Sequence, residues 1–540
     1  MATRRRRSLL VADAARSRGV QRALAESAAR ASVRDPDLAD LVRREQDAQK
    51  QVSALFGLYN NAVAAPAEQQ DPDALLRLRT QIDQLRDARA ALRGEIERRF
   101  PDYANLIDPR PASIAEVQAG LRPGEAMLAT YVGQDRTFIW AVPQQGQASF
   151  AAPEIGERQI ATAVADLRKA LDPNASTLGD IPNFDVAGSH ALYQMLVAPV
   201  AAGLRGASSY IVVADKALGM LPFGLLVTEN AAAPQDGSGA LFSGYKRVPF
   251  LIRQAAVTQL PSVAALNTLR KVPPASNTRR AFAGFGDPWF SQEQAKQAMA
   301  EQAPVQVASL ATRGRPLTRR SAPRVDIDSA ELAQLPRLPD TADEIRSIAL
   351  ALRADPAQDV FLGNRATEKA VKSLDLANRK VVAFATHGLV PGDLNGLNQP
   401  ALALTAPQVG DGDGDGLLTM EEILGLKLDA DWVVLSACNT GAGEGAGAEA
   451  ASGLGRAFFY AGTRAVLLTN WPVETNSART LTTDLFRRQA ENPTLSRARA
   501  MQQAMIALLD GDGMVEGGKT VFSYAHPIFW APFSVVGDPG

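Results

Sequence analysis

Among its 540 residues the chain has one cysteine, Cys438, and three histidines, His190, His387 and His526. A thiol beside an imidazole is a nucleophile. The imidazole draws off the thiol proton, sulfur attacks a carbonyl, and the imidazolium returns the proton to the leaving amine. Only His387 stands in a setting comparable to that of Cys438. Val381-Val382-Ala383-Phe384-Ala385 runs up to His387, and Trp432-Val433-Val434-Leu435 runs up to Cys438. Both runs are apolar without alternation, the pattern of a parallel strand covered on both faces, and ligands collect beyond the carboxyl ends of such strands. Glycines follow in each case, Gly388 after the histidine and Gly441 and Gly443 after the cysteine, so backbone can approach a substrate closely. His190 opens an expected helix and His526 precedes Pro527, and both read as structural.

The same rarity excludes other chemistry. One thiol makes neither an intrachain disulfide nor a cysteine-rich zinc site. Ser436 lacks the G-x-S-x-G turn of a hydrolase serine, and no Lys-Ser/Thr follows the glycine-rich stretch 441–447, so it is not a phosphate loop. With 57 Lys and Arg against 58 Asp and Glu the net charge is -1, without the basic excess of a nucleic-acid binder. The basic start, Met1 to Arg7, breaks off at Asp13 before an export signal could form, and no apolar run reaches the roughly 18 residues of a membrane span. The expectation is a cytoplasmic protein with no nucleic-acid and no membrane partner.

The elements that must position the pair follow from periodicity. Residues 1–115 read as a helical segment, with Leu78, Ile82, Leu85, Ala88, Leu92 and Ile96 on one face of a long helix, available to a regulatory partner. Met127 to Val132 and Thr137 to Val142 read as paired strands, followed by helices near 158–171 and 192–197 and a strand at Ile211 to Val213. Residues 288–337, rich in Gln, Ala, Ser, Pro and Arg, read as a flexible insertion. A helix near Thr341, a strand at 360–362, a helix from Thr367, strands at 381–385, 401–404 and 432–435, a helix at 420–426, and strands at 465–468 and 533–536 complete an α/β pattern.

The ordered set Ala385-Thr386-His387-Gly388, Asp415-Gly416-Leu417-Leu418-Thr419 with Glu422, and Leu435-Ser436-Ala437-Cys438-Asn439-Thr440-Gly441 resembles the CHAT domain, a family of caspase-like cysteine peptidases associated with tetratricopeptide repeats. Leu221-Pro222-Phe223, Asn470-Trp471-Pro472-Val473 and Phe529-Trp530-Ala531-Pro532-Phe533 extend the likeness over residues 120–540, with the first 115 residues as a repeat-region remnant. The resemblance implies a caspase-like, mostly parallel sheet with helices on both faces. It also implies a cysteine endopeptidase acting on a protein or peptide substrate through a thioacyl-enzyme, with Cys438 as nucleophile and His387 as general acid and base. Backbone N–H groups of Gly388 and Cys438 would form the oxyanion hole, and Asn439, Thr440, Gly441, Asn470 and Trp471 would line the cleft. The separation 438 − 387 = 51 matches the roughly 50 residues between histidine and cysteine in caspases. Ser436 stands where caspases have Gln and Thr440 precedes Gly441, so aspartate specificity does not carry over.

No cofactor is needed for this chemistry, but one segment suggests calcium. Asp411, Asp413, Asp415, the Leu417 carbonyl, Thr419 and Glu422 fall at the ligand positions of an EF-hand loop, D-x-D-x-D-G-x5-E. Thr419-x-x-Glu422 is equally a capping box for the following helix. Two alternatives to a peptidase are an idle protease-like scaffold and a calcium-responsive interaction module.

Overall fold

The computed structural model describes residues 71–99, 111–300, 332–436 and 454–540, except 174, 233, 237–238, 272–275, 391–392, 395–396, 398, 411–413, 456 and 460, with scattered helical positions between 9 and 59. The expected long helix is Pro72–Arg99, in which Ile82 and Ile96 are buried. Arg89 Nε donates to Glu45 Oε1 at 2.8 Å and the Arg86 guanidinium lies 4.7 Å from the Phe56 ring centre, so the helix is braced against earlier helical residues. Among the described residues no helix is long and apolar enough to cross a membrane.

From Glu125 onward strands and helices alternate. The strands are β1 (Glu125–Val132), β2 (Thr137–Pro143), β3 (Ser149–Ala151), β4 (Ser209–Val213), β5 (Ala256–Gln259), β6 (Arg280–Gly286), β7 (Val360–Leu362), β8 (Arg379–Ala385), β9 (Gly388–Leu389) and β10 (Ala401–Ala403). They continue with β11 (Leu417–Thr419), β12 (Trp432–Leu435), β13 (Ala465–Thr469), β14 (Met514–Glu516), β15 (Lys519–Phe522) and β16 (Phe533–Gly537). Eleven make one sheet in the order β3-β2-β1-β4-β5-β16-β13-β12-β8-β6-β7. Its pairs are parallel except along β1-β2-β3 and between β13 and β16. β9, β10 and β11 form a small antiparallel sheet.

The sheet is covered on both faces, as the unbroken apolar runs require. Val381, Ala383, Ala385, Trp432 and Val434 join the core under the helices Glu157–Arg168, Val186–Leu196, Asp340–Ala351, Thr475–Glu491 and Arg497–Asp510. Val382, Phe384, Val433 and Leu435 join the opposite core under Ala264–Lys271, Glu368–Ser373 and Met420–Gly425. On that second face Phe361, Phe285 and Phe384 stack across β7, β6 and β8, with ring centres 4.9 and 5.2 Å apart.

Neither β5 nor β6 is evident in the sequence. β6, Arg-Ala-Phe-Ala-Gly-Phe-Gly, has no β-branched residue, and its glycines weaken the strand signal. They have a packing reason: a Cβ on Gly284 or Gly286 would lie 2.7 or 2.9 Å from the Ile345 side chain, so the helix Asp340–Ala351 sits on β6 only because both positions are bare. Ion pairs gather at the edge where the parallel strands begin. Arg270 bridges Glu125 and Asp538 at 2.7 Å each, Arg464 meets Asp429 at 2.8 Å, and Arg379, at the start of β8, meets Asp359.

His526 is structural, as expected. Its Nδ1 accepts from the Ile528 N–H and its Nε2 donates to the Pro182 carbonyl, both at 3.2 Å, among the rings of Phe242, Tyr245 and Phe529. Burial pushes its pKa down from 6.5 to about 3. Below pH 6.5 the unfolded chain therefore takes up a proton that the folded chain refuses, and the stability present above pH 6.5 is lost as pH falls toward 3. In urea unfolding between pH 6 and 4, His526→Gln should flatten the acid dependence by up to about 1.4 kcal/mol per pH unit; equal slopes for variant and wild type would contradict this.

Candidate active site

β8 and β12 are parallel neighbours, with Trp432 opposite Val381 and Leu435 opposite Phe384. The ladder offset, 432 − 381 = 51, is the same as the separation 438 − 387 = 51 of His387 and Cys438. Ser436 N–H donates to the Phe384 carbonyl at 2.9 Å, so β12 is tied to β8 until two residues before the cysteine. Cys438, Asn439, Thr440 and Gly441 lie outside the described residues, as do Asp411 and Asp413.

His387 sits in the turn between β8 and β9 and is fully buried. Its backbone is pinned to β10, since Thr386 Oγ1 donates to the Ala403 carbonyl and the His387 carbonyl accepts from the Ala403 N–H at 2.9 Å. Its Nε2 lies 2.8 Å from the Pro336 carbonyl. A carbonyl only accepts, so Nε2 carries the hydrogen and the neutral ring keeps its lone pair on Nδ1. That Nδ1 is buried and has no hydrogen-bond partner among the described residues. Desolvation holds the imidazole below its ordinary pKa of 6.5, against the opposing pull of the Pro336 carbonyl. The ring is therefore a neutral base near pH 7.

The apolar wall comes from the two ends of the stretch expected as a flexible insertion. Phe290, 1% exposed, has its ring centre 5.7 Å from that of His387, and Leu335, 2% exposed, joins Phe290, Leu389 and Leu394 in one cluster. Arg337 clamps this segment by a two-pronged ion pair to Asp287 at 2.8 Å, and Gln294 Nε2 donates to the Leu335 carbonyl at 2.7 Å. Residues 301–331 lie outside the described residues. Pro336 is a site residue that sequence reasoning misses, because a backbone carbonyl has no side-chain signature. Phe290 and Leu335 look like ordinary apolar residues until the fold brings them to the imidazole.

Gly388 directly follows His387 and is half-buried at the start of β9. Asn470 and Trp471 follow β13, next to β12, but both side chains face inward. Asn470 Nδ2 donates to the Pro532 carbonyl and Ser534 Oγ at 2.9 and 2.8 Å, and Trp471 Nε1 donates to the Ile528 carbonyl at 3.1 Å. With 2% and 0% exposure they brace the C-terminal segment against β13 and present no side-chain surface to a cleft.

The described half of the acidic loop is arranged around an ammonium. Glu422 Oε2 accepts from Thr419 N–H at 2.8 Å and completes a capping box, while its Oε1 accepts from Lys372 Nζ at 2.7 Å. Lys372 also meets the buried Glu368, whose pKa burial raises, and Glu368 Oε2 in turn accepts from the Asp415 N–H at 3.3 Å. Asp415 Oδ1 accepts from the Leu417 N–H at 2.9 Å. Glu422, the expected bidentate terminal ligand, thus caps a helix and pairs with a lysine among the described residues. Among the described residues no acidic group is assembled to hold a metal. Lys372→Met should cost about 1–2 kcal/mol in urea unfolding, because it leaves two carboxylates facing each other in a partly exposed site. Calcium titration of the wild type tests the loop: a Tm raised by several degrees in millimolar calcium would support the calcium expectation, and an unchanged Tm would discard it.

The model of the CHAT domain matches residues 187–538 of this chain. No curated protein matches the sequence. Among solved structures, a chain of the Saccharomyces cerevisiae separase–securin complex is similar at 8% identity and a TM-score of 0.40, over 91% of this chain and 37% of that one. The Arg-specific cysteine proteinase gingipain R is similar at 10% identity and a TM-score of 0.34, over 71% of this chain and 74% of its own. This chain thus spans little more than a third of the separase chain it resembles. With 187–538 of its 540 residues matched, and a mostly parallel sheet whose carboxyl edge carries His387, the protein belongs to the CHAT domain family.

Proposed function

We propose that the protein is a cysteine endopeptidase in which Cys438 and His387 form the catalytic dyad. The observation that carries this is the state of His387: a neutral imidazole, its hydrogen fixed on Nε2 by the Pro336 carbonyl, and a buried Nδ1 lone pair with no partner among the described residues, at the carboxyl end of β8. Support for the partner comes from the ladder, whose 51-residue offset equals the His387-to-Cys438 separation.

In the proposed reaction Nδ1 takes the Cys438 thiol proton as sulfur adds to the scissile carbonyl. The oxyanion is held by the backbone N–H groups of Cys438 and Gly388. The C–N bond then breaks, the imidazolium protonates the leaving amine, and a thioacyl-enzyme remains. Water, deprotonated by the same Nδ1, hydrolyses the thioester and restores the thiol. The Pro336 carbonyl holds the Nε2 hydrogen throughout and is best placed to stabilise the imidazolium. The substrate class is a protein or peptide, and no cofactor takes part.

Digestion of a proteome-derived peptide library tests this. Cys438→Ala should abolish cleavage with its circular dichroism unchanged, and His387→Ala should lose at least about a hundredfold. Because burial lowers the imidazole pKa, the acid limb of kcat/KM should fall below pH 6.5. Cleavage that persists in Cys438→Ala would end the assignment.

A further inference from the structure

A buried carboxylate stands under the strand that leads to the cysteine. Glu344, on the helix Asp340–Ala351, is 0% exposed. Its Oε2 accepts from Ser436 Oγ at 3.1 Å, and its Oε1 lies 3.1 Å from Thr482 Oγ1 on the helix Thr475–Glu491, a hydroxyl shared with the Ala478 carbonyl at 2.9 Å. Taking a carboxylate out of water costs several kcal/mol before its partners compensate. Two packed helices and a strand would be filled more cheaply by an apolar side chain, so the position calls for a role beyond packing.

Three features aim this carboxylate at the strand end. The period of two puts Ser436 on the same face as Trp432 and Val434, which is the face the Glu344 helix covers. Gly284 and Gly286 let that helix settle onto β6, with Ile345 in the space a Cβ would take. The first turn of the helix is fixed as well, since Thr341 Oγ1 accepts from the Asp287 N–H and donates to the Leu338 carbonyl, both at 2.7 Å. Asp287 is the residue clamped by Arg337, next to the Pro336 that holds His387. One helix therefore connects the segment that orients the imidazole with the last described residues before the thiol.

We propose that Glu344 is a positioning residue for Cys438, acting through Ser436. The backbone of Ser436 is set by the Phe384 carbonyl and its side chain by Glu344, so the strand end can neither slide nor rotate two residues before the nucleophile. The idea rests on the dyad proposed above, but it can be read without peptidase activity. Cys438 is the only thiol in the chain, so iodoacetamide labelling of the full-length protein reports on it alone.

At pH 7 the wild type should label faster than free cysteine, and Glu344→Gln and Ser436→Ala should each slow labelling and lower kcat by about tenfold to a hundredfold at unchanged KM. The double variant should be no worse than either single one, because both remove the same link. Ser436→Ala leaves the carboxylate and its bond to Thr482 in place, and serves as the test if Glu344→Gln does not fold. Labelling as fast as wild type in either variant, with only the Tm lowered, would reduce Glu344 to a packing role and overturn the proposal, as would additive losses in the double variant. A wild type that labels fast but cleaves no peptide, with labelling slowed in Glu344→Gln, would keep the positioning role and remove the endopeptidase.

Discussion

The rungs between β8 and β12 are the constraint on which the carboxyl edge depends. Both strands are buried on both faces, so their amide groups have no water to bond and must bond each other. Side chains alternate with a period of two. A slip of one residue would exchange Phe384, stacked on Phe285, with Ala383, which faces the helices on the other side, and both cores would be wrong at once. The offset is therefore held by the whole sheet. That same offset is the separation in sequence between His387 and Cys438.

Two buried histidines show how a carbonyl and a burial environment divide the uses of one side chain. His526 has both nitrogens engaged, Nδ1 by an amide and Nε2 by a carbonyl, and is a cap with nothing left to offer. His387 has its Nε2 engaged in the same way, but its Nδ1 is without a partner among the described residues.

The charged residues are distributed in keeping with this. Ion pairs at the edge where the parallel strands begin tie Arg270, Arg464 and Arg379 to acids across several strands. At the other edge Arg337 pairs with Asp287, and His387 Nε2 meets the Pro336 carbonyl. The Lys372 cluster, with Glu368 and Glu422, fastens the acidic loop to the helix Glu368–Ser373. The calcium pattern and the capping box use the same Glu422, which in the described structure caps its helix and also meets Lys372, 50 residues away in sequence.

The sequence by itself determined the α/β alternation, the two doubly covered strands, the positions of His387 and Cys438 just beyond them, and the structural character of His526. These depend on local apolar runs and on residue rarity, which one chain displays directly. Only the tertiary structure decided the rest. β6 is hidden by glycines whose reason is a helix arriving from 60 residues later in the chain, and Asn470 and Trp471 turn inward because the C-terminal segment supplies their partners. The Pro336 carbonyl and the Phe290 ring reach His387, and the Glu344 carboxylate reaches Ser436, from separate segments. Their roles come from solvent exclusion and hydrogen-bond geometry, which exist only once those segments have met.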